Sequence, residues 1–401
     1  MGLFVKLLTN TFENASRDKR ELSVVRELGC QVLVIAKGDS HNKEIVDGYE
    51  VHLLSTRPLG KPKFFLNLNR YISILTWSLY LRRLKADFVS CHDLIALLIA
   101  WISTIGKKKK TVLIYDAHEF EAGRNTGGKR GKFNTWLIIR LERYLVKRTD
   151  CNMMVNETIA KEVQRLHRLE YKPLVIRNLA PQWTLDVEKC KSKRIEFCHE
   201  LDIPQSTFLI MYHGVVTAGR GIESVLQAIA LVENTALVVL GNGEASYFHK
   251  INDIIRELQL EKKVLFIPAV PYNMLSQYIG AVDLGMVLIE NTCLSYYYSL
   301  PNKLFENIQS LTPIIGSNFP EIRQIVEGFK VGICCEPSDP RQIAESIEIL
   351  RVNKDQINTF KRNLIKAKSE LTWEKEKIKL EEAYSILFKI IDNHSLSLKN
   401  V

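Results

Sequence analysis

The sequence has no run of the ~18 or more apolar residues that a membrane-spanning helix needs. Its opening, "MGLFVKLLTNTF", lacks a basic stretch followed by an apolar core and a cleavage site, so no signal peptide is expected. Eight cysteines are present, none in Cys-x-x-Cys or other metal spacing, and Cys334-Cys335 lie in an apolar run. That pattern argues against a zinc site or a disulfide framework, and for reduced, mostly buried thiols in a cytoplasmic protein. The stretch "LGNGEAS" at 240–246 has Gly-x-Gly without a third glycine and reads as a tight turn, not a dinucleotide fingerprint. No repeat or low-complexity tract is seen. The basic residues lack interleaved aromatics and any recognisable nucleic-acid module, so nucleic acid is not an expected partner.

What is present fits a soluble globular protein, with 46% apolar and 25% charged residues. A length of 401 residues is too great for one ordinary core and suggests two domains. The net charge of +10 is unevenly placed. Residues 1–180 hold 31 Lys and Arg against 18 Asp and Glu, a surplus of +13; residues 181–401 hold 24 against 27, or −3. The first half therefore expects an anionic neighbour, such as a phosphorylated substrate or an anionic membrane surface.

Both halves alternate short β-rich runs with helical patterns, which predicts α/β domains with parallel sheets. The first half offers "LFVKLL", "CQVLVIA", "YEVHLL", "DFVSC", "TVLIYD", "CNMMVN" and "PLVIRN" as strands. The second offers "TFLIMYHG", "ALVVLG", "KVLFIPA", "DLGMVLI", "TPIIGS" and "VGICC". Helices are expected at about 222–232, 245–258, 272–280, 302–310, 320–327 and 340–351. A composition shift around "NLAPQWTLD" separates domains at 1–182 and 183–375, and a charged helical tail, 376–401, is expected to pack back on the first domain. In doubly wound sheets ligands sit beyond the carboxyl ends of the strands, so polar residues there are the first candidates.

Two such places stand out in the second domain. In "YHGVVTAGRGIESVLQAI", Gly214, Gly219 and Gly221 let backbone approach a ligand, and Arg220 precedes a helix whose N-terminus favours anions. In "SLPNKLFENIQSLTPIIGS", Pro301 suits the first helical position, and Asn302, Lys303 and Glu306 share one face. Free helix amides and Lys303 would hold phosphate, while Glu306, an acceptor only, suits a vicinal diol about one turn deeper. That is the polarity of one nucleotide, phosphate outward and sugar inward. The plainer alternatives are an ordinary βα turn and a surface Lys–Glu pair worth about 0.2–0.5 kcal/mol.

"LPNKLFENIQSLTPIIGSNFPEIRQIV" resembles the nucleotide-binding segment of glycosyltransferase family 4, retaining enzymes of the GT-B fold. The glycine loop at 212–229 resembles that family's diphosphate-binding loop, "YDAHEF" its acceptor-domain histidine segment, and "SRDKRELSVVRELGCQVLVIA" its first helix and second strand. The resemblance runs over about residues 1–385. It implies two Rossmann-like doubly wound domains facing a central cleft, with a nucleotide-diphospho-sugar donor, expected to be a UDP-sugar, in the second and the acceptor in the first. Arg220, Lys303 and Glu306 are then the catalytic and nucleotide-holding groups, with Gly214, Gly219, Gly221 and Asn302 lining the donor. His118 corresponds to the family's histidine beside the donor sugar.

Two departures from the family pattern matter. The family's frequent Glu-x7-Glu has Glu306 in second place but Tyr298 in first, so sugar contacts there would fall to Tyr298, Ser299 and Leu300. Val215 stands where the family's glycine loop often has an arginine, leaving the diphosphate charge to Arg220 and Lys303. No Asp-x-Asp clamp for Mg²⁺ or Mn²⁺ exists, so a metal-independent hexosyl- or N-acetylhexosaminyltransferase with no cofactor is expected. The acceptor is expected to be a lipid-linked or polysaccharide glycan. A GT-B nucleotide-sugar epimerase and a non-catalytic binding protein are the alternatives.

In the first domain, His92-Asp93 reads as a structural pair, and "EAGRNTGGKRGKFN", 121–134, as a mobile loop near an anionic acceptor. The stretches "FFLNLNRYISILTWSLYLRRLK", 64–85, and "LIALLIAWISTIGKKKK", 94–110, are too short or interrupted to span a membrane; they could lie in an interface against anionic lipid, but their apolar parts read as buried sheet-covering helices. The Lys107–Lys110 run is expected to face anionic lipid, each lysine giving about 1 kcal/mol. The protein is thus expected to be cytoplasmic and peripheral on the inner face of the plasma membrane.

Overall fold

The alternation of β-branched runs and helical patterns closes into two parallel sheets, one in each of two compact units. The computed structural model describes residues 2–13, 15–57, 66–124 and 131–392. Unit 1 comprises Met1–Asn178 and Glu376–Val401, and unit 2 comprises Leu179–Lys375.

The sheet of unit 1 is built from β1 (Leu3–Leu7), β2 (Gln31–Gly38), β3 (Asn42–Val46), β4 (Tyr49–Ser55), β5 (Phe88–Cys91), β6 (Val112–Ala117), β7 (Cys151–Met154) and β8 (Leu174–Val175). Its order is β3-β4-β2-β1-β5-β6-β7-β8. Every neighbouring pair is parallel except β3–β4, an antiparallel hairpin at the edge. The connecting helices include α1 (Ser16–Glu27), α2 (Leu66–Leu84), α3 (Leu94–Thr104), α4 (Lys132–Val146) and α5 (Glu157–His167). Strand β3 was not expected from the sequence. Its residues "NKEIV" are almost all exposed and carry no apolar alternation. The turn supplies the pairing: Asp47 and Gly48 have φ of 51° and 75°, the geometry for which Asp-Gly is favoured in two-residue hairpins. Lysine and glutamate on that edge also deter further strand pairing.

Unit 2 contributes α6 (Val187–Glu200), β9 (Phe208–His213), α7 (Ile222–Ala230), β10 (Thr235–Leu240), α8 (Ala245–Glu257), β11 (Val264–Ile267), α9 (Leu275–Ile279), β12 (Leu284–Val287), α10 (Leu294–Tyr297), α11 (Asn302–Gln309), β13 (Ile314–Ser317), α12 (Pro320–Gly328), β14 (Gly332–Cys335), α13 (Pro340–Val352) and α14 (Lys354–Glu370). All strands are parallel in the order β11-β10-β9-β12-β13-β14. The order reverses between β9 and β12, so this sheet opens its ligand crevice at their carboxyl ends. Helices α6 and α14 were not expected; their charged, polar sequences hide short buried faces such as Phe197 with Cys198 and Phe360 with Leu364.

The last helix, α15 (Trp373–Asp392), returns from Glu376 onward to unit 1. Glu376 accepts the Arg177 amide at 3.0 Å, Lys377 pairs with Glu27, and the Tyr384 ring meets Phe4 edge-on at 5.6 Å. The Tyr384 hydroxyl donates to Glu21, which belongs to a buried charge cluster.

That cluster lies where a parallel sheet normally holds only apolar side chains. Lys6, fully buried on central strand β1, has its ammonium 2.9 Å from Asp18 and 3.6 Å from Asp116, and donates to Glu21 and Ser90. Arg17 forks onto Asp116 at 2.6 and 3.0 Å and donates to the Ile176 carbonyl. Burial alone would lower the Lys6 pKa, but Asp18, Glu21 and Asp116 outweigh it and raise it. Burial would raise Asp116, but Arg17 and then Lys6 hold it well below the usual carboxylate range.

Lys6→Met should therefore destabilise unit 1 by about 3–5 kcal/mol in urea unfolding, because three buried carboxylates then share too little positive charge. Asp18 and Asp116 would lose the Lys6 charge that helps hold their pKa values down, so the loss should shrink as pH falls through the carboxylate range. An equal loss at neutral and mildly acidic pH would show that Lys6 acts by packing alone.

Candidate active site

Unit 2 places its glycine loop directly after β9. Gly214, Gly219 and Gly221 have φ of 117°, 79° and 72°, which L-residues rarely adopt. A Cβ on Gly221 would sit 2.8 Å from the Leu288 Cβ, whereas a Cβ on Gly214 would meet nothing within 4 Å. The first glycine thus allows helix α7 to start against β12, and the second faces open space. Gly241 and Gly243, read from sequence as a tight turn, have a further use. A Cβ on either would overlap the Gly214 or Val216 carbonyl oxygen, at 1.8 and 2.0 Å. These two glycines let the β9–α7 and β10–α8 loops run side by side, bridged at Val216 and Gly243.

Helix α11 begins at Asn302, as expected, but Pro301 is its N-cap, with φ −76° and ψ 146°, and not its first helical residue. Leu304, Phe305 and Ile308 are buried in the unit 2 core. Lys303 is not a surface residue. Its ammonium donates to the Leu288 carbonyl at 3.1 Å, just past β12, and lies 4.6 Å from the centre of the Tyr212 ring. Glu306, one turn on, accepts from His213 Nε2 at 3.0 Å. The surface Lys–Glu pair considered as an alternative is therefore not what forms. The two side chains have separate partners, both at the carboxyl ends of the switch-point strands.

Arg220 is half-buried, its guanidinium 4.9 Å from the centre of the Tyr296 ring. Burial first, and then the Arg220 charge, lower the Lys303 pKa to about 7, with Glu306 opposing. Tyr298, Ser299 and Leu300 form the turn between α10 and α11, and the Ser299 hydroxyl donates to the Tyr296 carbonyl. The structure thus gathers Gly214, Gly219, Gly221, Arg220, Lys303 and Glu306 around the β9 and β12 strand ends. Asn302 is exposed at the start of α11, and the Tyr298 ring lies against Tyr297.

Sequence reasoning missed His213. It closes β9, is 2% exposed, and holds the Glu306 carboxylate in place. Its ring is committed to donating from Nε2, and Nδ1 is buried without a protein partner. The rule that polar residues at strand ends are candidates applied to it, but the adjoining glycine drew the reading. Tyr212 and Tyr296, which sit against the two cations, were missed for the same reason as any core aromatic: nothing in a sequence says which ring lies beside a charge.

His118 belongs to unit 1, just beyond β6. Its Nε2 is 3.3 Å from Asp116 and 3.7 Å from Asp18. Donation from Nε2 to a carboxylate fixes the tautomer and leaves Nδ1 an acceptor. Asp18, Asp116 and His118 also have metal-ligand spacing, the one such grouping among the described residues. Lys6 and Arg17 already neutralise those carboxylates, so the grouping does not suit a divalent cation. His92 lies 3.2 Å from Asp93, which caps α3 through the Ala96 amide, and burial lowers the His92 pKa. Of the expected loop at 121–134, residues 125–130 lie outside the described residues; Glu121–Gly123 form a short 3₁₀ turn.

A lysine poised near neutrality gives a direct test. An anion bound beside it favours its charged form, so UDP binding should take up a proton at about pH 7 and above, and should weaken as pH rises from about 7 to about 9. Titration calorimetry in buffers of different ionisation enthalpy reads this uptake. It should vanish in Lys303→Arg, which keeps the charge at every pH. Identical uptake in wild type and Lys303→Arg would mean that Lys303 is not what titrates.

The chain is similar to known proteins along most of its length. Residues 194–367 match the family model described as "Glycosyl transferases group 1", and residues 23–179 match "Glycosyltransferase Family 4". An uncharacterized glycosyltransferase of Methanocaldococcus jannaschii is 23% identical over 342 residues, 80% of each chain. Among solved structures, sucrose-phosphate synthase of Thermosynechococcus elongatus superposes with a TM-score of 0.78 at 14% identity, covering 96% of this chain and 99% of that one. Anabaena HepE in complex with UDP-glucose gives a TM-score of 0.72 at 14% identity, covering 96% and 100%. These two structures show the fold. With the family matches running through both units, the chain belongs to the family 4 glycosyltransferases of the GT-B fold.

Proposed function

We propose that this glycosyltransferase moves a hexosyl or N-acetylhexosaminyl group, with retention, from a UDP-sugar to a lipid-linked or polysaccharide acceptor in surface-glycan synthesis. The observation that carries the donor half is the divided partnership on α11. Lys303 sits with the Leu288 carbonyl near Arg220, while Glu306 is held by His213 a turn away. Two cations and helix amides next to a fixed carboxylate match a diphosphate joined to a ribose. The neighbouring HepE structures are described with UDP, with UDP and glucose, and with UDP-glucose, which supports a uridine donor.

In this reading each group has one task. As the bond from the anomeric carbon to the diphosphate breaks, negative charge collects on the departing phosphate oxygen. Arg220, Lys303 and the first amides of α11 stabilise it. The acceptor hydroxyl attacks on the face the diphosphate leaves, and its proton passes to the departing phosphate oxygen, so configuration is retained. Glu306 anchors the ribose, and Gly214 gives the diphosphate close access to backbone. Tyr298, Ser299 and Leu300 offer backbone and the tyrosine hydroxyl to the sugar, in place of the missing first glutamate. His118 contacts a sugar hydroxyl through Nδ1. Fixed cations do the work of a metal clamp.

Arg220→Ala and Lys303→Ala should each weaken UDP by about 1.5–3 kcal/mol, the range for charged hydrogen bonds. Glu306→Gln should weaken UDP far more than inorganic pyrophosphate, since only UDP has a ribose. Equal losses for both ligands would make Glu306 a purely structural residue.

The reaction itself is tested by a thermal-shift panel of nucleotide sugars, followed by a transfer assay with the donor that stabilises the protein. Transfer should persist in excess EDTA. Abolition by EDTA with rescue by Mn²⁺ would overturn the metal-free mechanism, and a donor sugar altered without any acceptor would make the protein an epimerase.

A further inference from the structure

Helix α2 is built inside out. Its buried face holds Asn69, Ser73 and Ser78 beside Trp77 and Leu81. The polar groups there are satisfied internally: Ser78 donates to the Ile74 and Ile99 carbonyls, and Trp77 Nε1 to the Ser55 carbonyl. Its outward face carries Leu68, Tyr71, Leu75 and Leu79 at helical spacing, 48 to 67% exposed. Helix α4 does the same. Glu142 is buried, accepting from Tyr115 and paired with His167, while Phe133, Trp136, Leu137 and Tyr144 are 41 to 69% exposed. Sequence patterning gave α2 the role of a buried sheet cover, and the exposed leucines correct that.

The two helices flank α3, which packs against both. Between them opens a cleft of about 670 Å³, lined by Ile74, Leu94, Leu98, Leu137, Ile138 and Leu141. The exposed charges around this apolar surface are mostly basic, and the two carboxylates that line the cleft are partnered: Asp93 caps α3 through the Ala96 amide, and Glu121 lies 3.6 Å from Arg124. Helix α2 contains no carboxylate, and the carboxylate of α4, Glu142, is buried. Arg70, Arg83, Lys132, Arg140 and Arg148 are exposed on or just beyond the two helices. Arg140 lies over the Trp136 ring at 5.0 Å and Arg148 over Tyr144 at 3.5 Å, guanidinium beside aromatic. Exposed leucines and aromatics rimmed by arginine, with the nearby acids already partnered, complement a surface that is apolar beneath and anionic at its edge.

We propose that α2 and α4 are the docking face of this protein for an anionic lipid leaflet, with lipid chains covering the cleft between them. This deepens the reading of a lipid-linked acceptor, and it moves the contact away from the Lys107–Lys110 run. In the structure Lys109 pairs with Asp87, Lys110 pairs with Asp150, and Lys107 is half-buried near Thr111. The apolar part of α3 that precedes them is largely buried.

The test is co-sedimentation of the full chain with vesicles of phosphatidylcholine alone or with added phosphatidylglycerol. Wild type should bind the anionic vesicles and lose binding as salt is added. Leu75→Ser with Leu79→Ser and Trp136→Ala should weaken that binding roughly tenfold or more. Arg70→Gln with Arg140→Gln should remove its dependence on anionic lipid. Replacing Lys107 to Lys110 by Gln should change it little. UDP affinity, read on the same samples, should stay at the wild-type value in every variant, and urea unfolding should show that unit 1 keeps its wild-type fold. Failure of wild type to bind anionic vesicles, wild-type binding by the α2 and α4 variants, or loss of a self-associated state instead of vesicle binding would each overturn the proposal. Failure of UDP binding in wild type would count against the donor site and leave the docking face standing.

Discussion

A parallel strand covered on both faces can keep a polar side chain only if that side chain is paired inside the sheet or placed at the strand's carboxyl end. Both units are organised by that constraint. In unit 1 the centre of this is Lys6 on β1, held among Asp18, Glu21 and Asp116, which ties β1, α1, β6 and α15 into one ion-paired centre. In unit 2 the strand interiors are apolar, and the polar groups of the site collect where β9 and β12 end.

The proposed donor site follows from the same rule. Lys303 is desolvated, and what it has nearby is a carbonyl, an aromatic ring and another cation, Arg220. Such an arrangement leaves positive charge under-compensated until an anion arrives. Glu306 relieves it only in part, because that carboxylate is hydrogen-bonded to His213. That uncompensated charge is what would favour a diphosphate, and the separation of Lys303 from Glu306 is what gives the site two chemically different ends.

Much of this was legible in the sequence. All thirteen expected strands form, because β-branched runs bounded by turn residues have one good place in a parallel sheet. The helix carrying Lys303 and Glu306 was readable from Pro301 and the spacing of Leu304, Phe305 and Ile308. What was not legible depended on partners distant in the chain. Strand β3 is fixed by the Asp47-Gly48 turn and not by its own pattern. The burial of Lys303 requires knowing that the Leu288 carbonyl lies beside it. The role of His213 requires the contact with Glu306, 93 residues away. The outward apolar face of α2 defeated pattern reading because its serines satisfy themselves on backbone carbonyls, so composition alone gave no sign of which face was buried.

The central claim is that one nucleoside diphosphate lies across the ends of β9 and β12. A crystal structure of the chain soaked with UDP tests it most directly. The account predicts the diphosphate within hydrogen-bond distance of the Arg220 guanidinium and the Lys303 ammonium, and the ribose hydroxyls on the Glu306 carboxylate, with the His213–Glu306 contact kept. UDP bound away from α11, or bound there with its ribose turned from Glu306, would contradict it.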